Sequence, residues 1–310
     1  MSSGKQVALV VGASRGIGRQ IAISLAEKGY AVVIAAKSTS DATRVTPFPP
    51  DPNSQHSTIN TVEREIREAG GDATAVAVDT RDFTSVQLMV NKTIETYGRL
   101  DVLVYNSGAI WWASVEDTPM RRFQLMQQVN PEGLYATIQA ALPHFKTNGW
   151  NGRIIVVSPP IYSRFFRGKT AYAMGKIAMS VLTKGLAMDF ERQQRHGMSI
   201  TSIWPATAIE SAATGKAVAS EASDLRKPTI FGDAILSMLE APTSMVNGLL
   251  EIDEDFLRKY YGVSDFSRYA LVEGACPRRI MPVHFPNLRV EEHDDEGKRV
   301  DSVEMRRSKL

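Results

Sequence analysis

The strongest constraint on this chain is the turn Gly12-Ala13-Ser14-Arg15-Gly16-Ile17-Gly18, which stands straight after the apolar run Val7-Ala8-Leu9-Val10-Val11. A short, uninterrupted, β-branched run reads as a buried parallel strand. Gly12 then permits a sharp turn, Gly16 lets the backbone approach a phosphate, and Gly18 leaves room for a helix beginning near Arg15 to pack on the strand. The first turn of such a helix presents unpaired N–H groups and a positive dipole end to an anion. The next apolar run, Ala31–Ala36, arrives at the spacing of a βαβ unit. In that context the turn, with Ser14 and Ile17 beside its glycines, reads as the pyrophosphate cradle of a dinucleotide rather than a tight loop without a ligand.

Strand-like runs recur at Val7–Val11, Ala31–Ala36, Ala73–Val78, Val102–Tyr105, Ile154–Val157, Ile200–Trp204 and Gly248–Ile252, with helical patterns between them. This alternation predicts an α/β, Rossmann-type doubly wound parallel sheet with ligands at the carboxyl ends of its strands. At 310 residues and 43% hydrophobic content the chain fits one large domain over residues 1–262. Residues 263–290 read as an extension packing on it, and 291–310, mostly charged, as a flexible tail.

Lys and Arg total 36 against 34 Asp and Glu. With no basic stripe, this balance argues against nucleic acid as a partner. No apolar stretch reaches the roughly 18 residues needed to span a bilayer, and Met1–Lys5 carry no signal sequence. The single Cys276 has no metal-spaced neighbours and no disulfide partner. It reads as a buried or semi-buried thiol in a reducing compartment, and no metal is expected. Ser308-Lys309-Leu310 is the tripeptide read by the peroxisomal import receptor, so the expected location is the peroxisome.

At the tip of the second strand, where an acidic residue would bind the ribose hydroxyls of NAD, stand Ala36 and Lys37. Lys37 and Arg15 together suit the extra phosphate of NADP(H), unless Lys37 only caps a strand end. Between Lys37 and Thr61 lies a polar loop containing Thr46-Pro47-Phe48-Pro49-Pro50-Asp51-Pro52-Asn53, longer than most such connections. Its prolines exclude helix. It lies beside the adenosine end, and either folds over the cofactor or is a tolerated surface insertion.

The GxxxGxG spacing of Gly12, Gly16 and Gly18 resembles the short-chain dehydrogenase/reductase family, and the resemblance runs from about Val7 to about Asp255. It implies that Asp79 and Thr80 edge the adenine and that Asn106-Ser107-Gly108 pass beside the nicotinamide ribose. Tyr172-Ala173-Met174-Gly175-Lys176 matches the family's YxxxK motif, with phenol and ammonium on one helix face. A free tyrosine titrates at about 10, so proton transfer at neutral pH needs about 4 kcal/mol of help. The resemblance makes Tyr172 the acid/base and Lys176 the residue that holds the ribose and lowers the phenol's pKa. It places Asn130 as the asparagine ordering a relay water, against the plainer reading of a helix-interior Asn bonded to backbone. After the sixth strand, Pro205, Ile209 and Ser211 would contact the nicotinamide.

The family's carbonyl-polarising serine falls on Pro159. Ser158 is one residue early, which on a strand means the opposite face, so it serves only if Pro159-Pro160 bend the chain. Otherwise Ser163 or a water takes the role. This Ser-Pro-Pro, with Ala35-Ala36-Lys37, Asp117-Thr118-Pro119 and Trp204–Ile209, resembles the hydroxysteroid-dehydrogenase-like branch. Its animal members carry a sterol-carrier domain, and the reading expects none within these residues.

Trp111, Trp112, Tyr162, Phe165 and Phe166 are pocket candidates for a bulky apolar substrate, or else core or subunit contacts. Arg164, Arg167 and Lys169 read as a solvated charged loop that could also meet an acidic substrate. The expected activity is NADPH-dependent reduction of a lipid-derived or secondary-metabolite carbonyl by a homodimer or homotetramer. An enoyl-type activity is argued against by YxxxK. The alternative from another class is an NADPH-binding protein with little turnover, because Pro159 occupies the serine position.

Overall fold

The structure, a computed structural model, describes residues 4–214 and 221–287 together with Arg307. Ser308-Lys309-Leu310 and nearly all of the tail lie outside the described residues. Seven strands form one sheet: β1 (Val7–Val11), β2 (Ala31–Ala36), β3 (Asp72–Ala77), β4 (Val102–Tyr105), β5 (Gly152–Val157), β6 (Met198–Trp204) and β7 (Leu250–Ile252). Their order is β3-β2-β1-β4-β5-β6-β7 and every pair is parallel. The expected doubly wound sheet is therefore present, and its order reverses between β1 and β4. There the crossovers leave in opposite directions and open a crevice at the carboxyl ends.

Because strand residues alternate between faces, β1 feeds two cores. Ala8 and Val10 pack with Ile21, Leu25, Phe231 and Phe256, beneath α1 (Gly16–Glu27), α2 (Ile59–Glu68), α7 (Thr229–Glu240) and α9 (Asp253–Tyr261). Leu9 and Val11 pack with Met89, Phe145 and Phe190, beneath α3 (Phe83–Tyr97), α5 (Gly133–Thr147) and α6 (Thr170–Arg192). The second face also carries α4 (Met120–Gln127), which passes through the π-helical turn Gln128–Glu132 into α5. A short α8 (Thr243–Val246) precedes β7.

Strand limits differ from the sequence reading by up to two residues, because ladder hydrogen bonds rather than apolar composition set them. The last strand begins at Leu250 rather than Gly248, since Gly248 turns at φ +75°. Residues 264–287 run back over the carboxyl edge, where the N–H groups of Ile280 and Met281 both donate to the Ala206 carbonyl. Cys276 lies on this segment and is exposed, correcting the expectation of a buried thiol: the irregular strap has a solvent side. No described helix is long and apolar enough to cross a membrane.

Candidate functional site

A cavity of about 570 Å³ lies along the carboxyl edge at the β1/β4 crevice. At its centre the glycine turn leaves no room for side chains. Gly12 turns at φ +88°, and a Cβ there would stand 2.5 Å from the Ser107 nitrogen. A Cβ on Gly18 would collide with the Gly12 carbonyl, which accepts from Asn106 Nδ2 at 2.9 Å. Gly18 thus serves helix packing and does not line the cavity, whereas Gly12, Ser14, Arg15, Gly16 and Ile17 do. The bare backbone at Gly12 and Gly16 fits a pyrophosphate at the start of α1.

At one end Lys37, Asp79 and Thr80 form the rim, joined by Arg81, a residue that sequence reasoning missed. Arg81 holds Asp79 with three hydrogen bonds, Nε to Oδ1 at 2.8 Å, Nη2 to Oδ2 at 2.5 Å and its backbone N–H to Oδ1 at 3.2 Å, and Lys37 adds a fourth at 3.1 Å. The Arg81 guanidinium holds the Asp79 carboxyl well below the usual carboxylate range. Arg15 Nη2 donates to Ser38 Oγ at 3.1 Å, so Ser38, also on this rim, is a second residue the sequence did not flag. Two cations, Lys37 and Arg81, thus pair with the one carboxylate, and a third, Arg15, stands on the same rim at Ser38.

In the middle, Asn106, Ser107 and Gly108 line the cavity. Asn130 does not reach it; its amide grips Ala109 instead, with Oδ1 accepting from the backbone N–H at 2.8 Å and Nδ2 donating to the carbonyl at 3.1 Å. Asn130 sits in the π turn, which breaks the regular helical hydrogen-bond register around it.

At the other end are Tyr172 and Lys176, one helical turn apart on α6. Lys176 Nζ donates to the Val157 carbonyl at 2.9 Å, and burial lowers its pKa to about 7. Burial raises the pKa of Tyr172. The expected lowering by Lys176 is therefore absent in the protein alone, because the phenol is packed against Phe165 and Trp112 while the ammonium is directed to the end of β5. A group at Gly108 would lie close to that ammonium, since a Cβ there would be 3.4 Å from Lys176 Nζ.

Two expectations are corrected here. Ser158 is fully buried and absent from the cavity wall; its Oγ accepts from Ser180 Oγ at 2.9 Å, and Ser180 also contacts the Pro159 carbonyl at 2.7 Å. The prolines do not turn Ser158 inward, and Val157 lines the cavity instead. Ser163 is exposed on a short 3-10 turn. Ile209 is likewise not a wall residue, because its side chain joins the α1/α7 core, whereas Pro205 and Ser211 line the cavity.

Beside Tyr172 the aromatic residues separate. Phe165 is buried against both Tyr172 and Trp204, with ring centroids 6.2 and 5.8 Å apart. Trp112 meets Tyr172 edge-on at 6.3 Å, and Trp111 packs in the same cluster. Tyr162 contacts Phe285 and Met281 of the C-terminal strap. Phe166 points away and is 37% exposed. Lys169 is not a solvated charge: its Nζ lies 4.6 Å from the Phe165 ring centre, and burial lowers its pKa.

The loop after β6 is held from below. Asp253, 1% exposed, accepts from the Ala206 N–H at 2.8 Å and the Glu254 N–H at 2.7 Å. Burial raises its pKa to about 7. Thr207 donates to Glu254, whose Oε1 stands 2.7 Å from Arg226 Nε in an ion pair. Nothing in the sequence pattern singled out this buried cluster.

The short chain dehydrogenase family profile matches residues 6–47 and 53–221. The chain is 38% identical over 268 residues to a zebrafish (Danio rerio) protein named hydroxysteroid dehydrogenase-like protein 2, covering 86% of this chain and 60% of the relative. The chain thus spans about three-fifths of the length of that relative. Among solved structures, a putative dehydrogenase from Xanthomonas campestris superposes with a TM-score of 0.77 at 35% identity, over 94% of this chain and 99% of that one. A 7α-hydroxysteroid dehydrogenase complexed with NADH and 7-oxo glycochenodeoxycholic acid superposes at 0.65 with 25% identity, over 81% and 92%. With the glycine turn, the strand order and the Tyr172/Lys176 pair in place, the chain belongs to the short-chain dehydrogenase family.

Proposed function

We propose that the protein is an NADPH-dependent carbonyl reductase in which Tyr172 donates the proton. The observation that carries the reading is the polarity of one cavity: Tyr172 and Lys176 stand at one end, and at the other Lys37 and Arg81 pair with Asp79 while Arg15, bonded to Ser38, adds a cation with no carboxylate partner among the described residues. A nicotinamide cofactor bound there supplies hydride. Gly12, Ser14 and Ile17 would hold the pyrophosphate, and Lys37 and Arg15 the 2′-phosphate, because an excess of cations offsets the charge that a lone acidic residue would repel. Lys176 would hold the nicotinamide ribose over Gly108. Tyr172 lies among Phe165, Trp112 and Trp204, an aromatic wall that favours a bulky apolar substrate. A lipid-derived carbonyl, steroid-like in bulk, fits this wall and the names of the relatives.

A second reading is favoured by one observation: Ser158 is tied to Ser180 and Ser163 is exposed. Without a hydroxyl in the oxyanion position the rate falls by about 10²–10³, and the protein then acts mainly by binding NADPH. Titration of tryptophan emission with NADPH and NADH tests the cofactor. Tighter NADPH binding that is lost in Lys37→Asp supports the reading, and equal affinities overturn it.

Met174, Val181 and Met188 form an exposed apolar stripe at heptad spacing on α6, with exposed Tyr135 on α5. This stripe supports a homodimer or homotetramer through these helices. Ser308-Lys309-Leu310 supports import by the peroxisomal receptor when it stands at the C-terminus.

A further inference from the structure

The Pro-rich insertion between β2 and α2 grips the glycine turn from outside at two backbone points. The buried Ser57 Oγ donates to the Ser14 carbonyl at 2.7 Å, and the Gly16 N–H donates to the Pro52 carbonyl at 3.0 Å. The residue between these two points is Arg15. Its guanidinium reaches Ser38 Oγ at the tip of β2 and has no carboxylate partner among the described residues.

The insertion is itself anchored. Arg64 of α2 stacks on the Phe48 ring at 3.8 Å and donates to the Ala42 carbonyl at 2.9 Å. Ser40 and Thr58 share a hydrogen bond at 2.7 Å, and the Ile59 N–H donates to the Ser38 carbonyl at 3.1 Å. Asn53 Oδ1 lies 3.4 Å from where a Cβ on Gly16 would be, so the loop packs against the turn without a gap. The family profile match skips residues 48–52, which places the gripping loop outside the shared family pattern.

We propose that the insertion is a positioning device for Arg15: by fixing the Ser14 carbonyl and the Gly16 N–H, it holds the guanidinium where a cofactor 2′-phosphate is read, and so sets the preference for NADPH over NADH. The proposal rests on the NADPH reading above. The Gly16 N–H is committed within the protein, leaving Ile17 and Gly18 as the first-turn donors of α1. A long, flexible arginine side chain discriminates only as well as its backbone is fixed, because an unfixed one must be ordered at binding.

The test is a double-mutant cycle on the purified full chain, using Ser57→Ala and Arg15→Gln and reading the ratio of NADH to NADPH dissociation constants by energy transfer from tryptophan. Ser57→Ala is expected to lower the ratio about fivefold through weaker NADPH binding, with NADH changed less than twofold. In the Arg15→Gln background, Ser57→Ala should leave the ratio unchanged. An unchanged ratio in Ser57→Ala overturns the proposal. So does equal weakening of both cofactors, or an additive cycle. If the wild type itself shows no preference for NADPH, the cofactor reading falls and the positioning role falls with it; a preference untouched by Ser57→Ala removes the positioning role alone. Ser57→Cys, which keeps the volume and weakens the donor, gives the same comparison if the alanine variant does not fold.

Discussion

Asn130 and Ala109 are joined at both polar atoms of the asparagine side chain, across the gap between the π turn and the loop after β4. One amide thus satisfies a backbone N–H and a backbone carbonyl of the segment that lines the middle of the cofactor cavity. Asn130→Ala leaves both groups unpaired, a loss of about 1–3 kcal/mol in stability. Cofactor affinity should fall with it by about tenfold. Chemical unfolding and a cofactor titration of the same variant check both, and a variant with unaltered affinity would show that Asn130 does not order the loop.

Gly18 and Gly12 approach so closely that no side chain fits between them. Gly18→Ala is expected to push α1 off β1, destabilising the protein by about 1–3 kcal/mol and abolishing cofactor binding. Thermal unfolding and the cofactor titration measure these separately.

Asp253 holds the Ala206 N–H from a fully buried position, facing Glu254 and Arg226. Its pKa in the fold, about 7, is above the ordinary carboxylate value. Its contribution to stability is therefore complete below about pH 4 and is lost as pH rises through 7. Asp253→Asn keeps the accepting oxygen but does not titrate. Relative to wild type it should gain about 2–3 kcal/mol on going from pH 5 to pH 8, measured by urea unfolding at both values. A constant difference would contradict this assignment.

Lys169 Nζ lies over the rings of Phe165 and Trp112, both of which pack on Tyr172. A half-buried ammonium at the substrate wall attracts an acidic group more strongly than one in water. Lys169→Met is expected to raise KM for carbonyl compounds bearing a carboxylate about tenfold while leaving neutral ones unchanged. Steady-state kinetics on a matched acid and ester pair decides it.

What the sequence made legible follows from local rules. The turn from Gly12 to Gly18, the strand-end position of Asn106 to Gly108 and the one-turn spacing of Tyr172 and Lys176 are set by neighbouring residues, and each lies on the cavity or beneath it. What was not legible depends on partners far along the chain. Ser158 faces Ser180, 22 residues away, because α6 passes behind β5. Arg81 is an exception, missed although its partner Asp79 is only two residues away, because the direction its side chain takes at the rim is not written in that spacing. The grips of Ser57 and Pro52 on the glycine turn, and of Asp253 on Ala206, are buried polar contacts between distant segments that no hydrophobic period announces. Cys276 and Lys169 were misplaced for the same reason: exposure is decided by what packs over an irregular segment.

Tyr172 is the residue on which the account depends, and the most direct measurement is carbonyl-dependent oxidation of NADPH by the wild type and by Tyr172→Phe across a panel of ketones and aldehydes. The account predicts turnover by the wild type, a fall of about 10²–10⁴ in kcat for Tyr172→Phe and NADPH affinity unchanged within a factor of about two. Equal turnover by both proteins would contradict the assigned proton donor, and tight NADPH binding without turnover of any carbonyl would contradict the reductase itself.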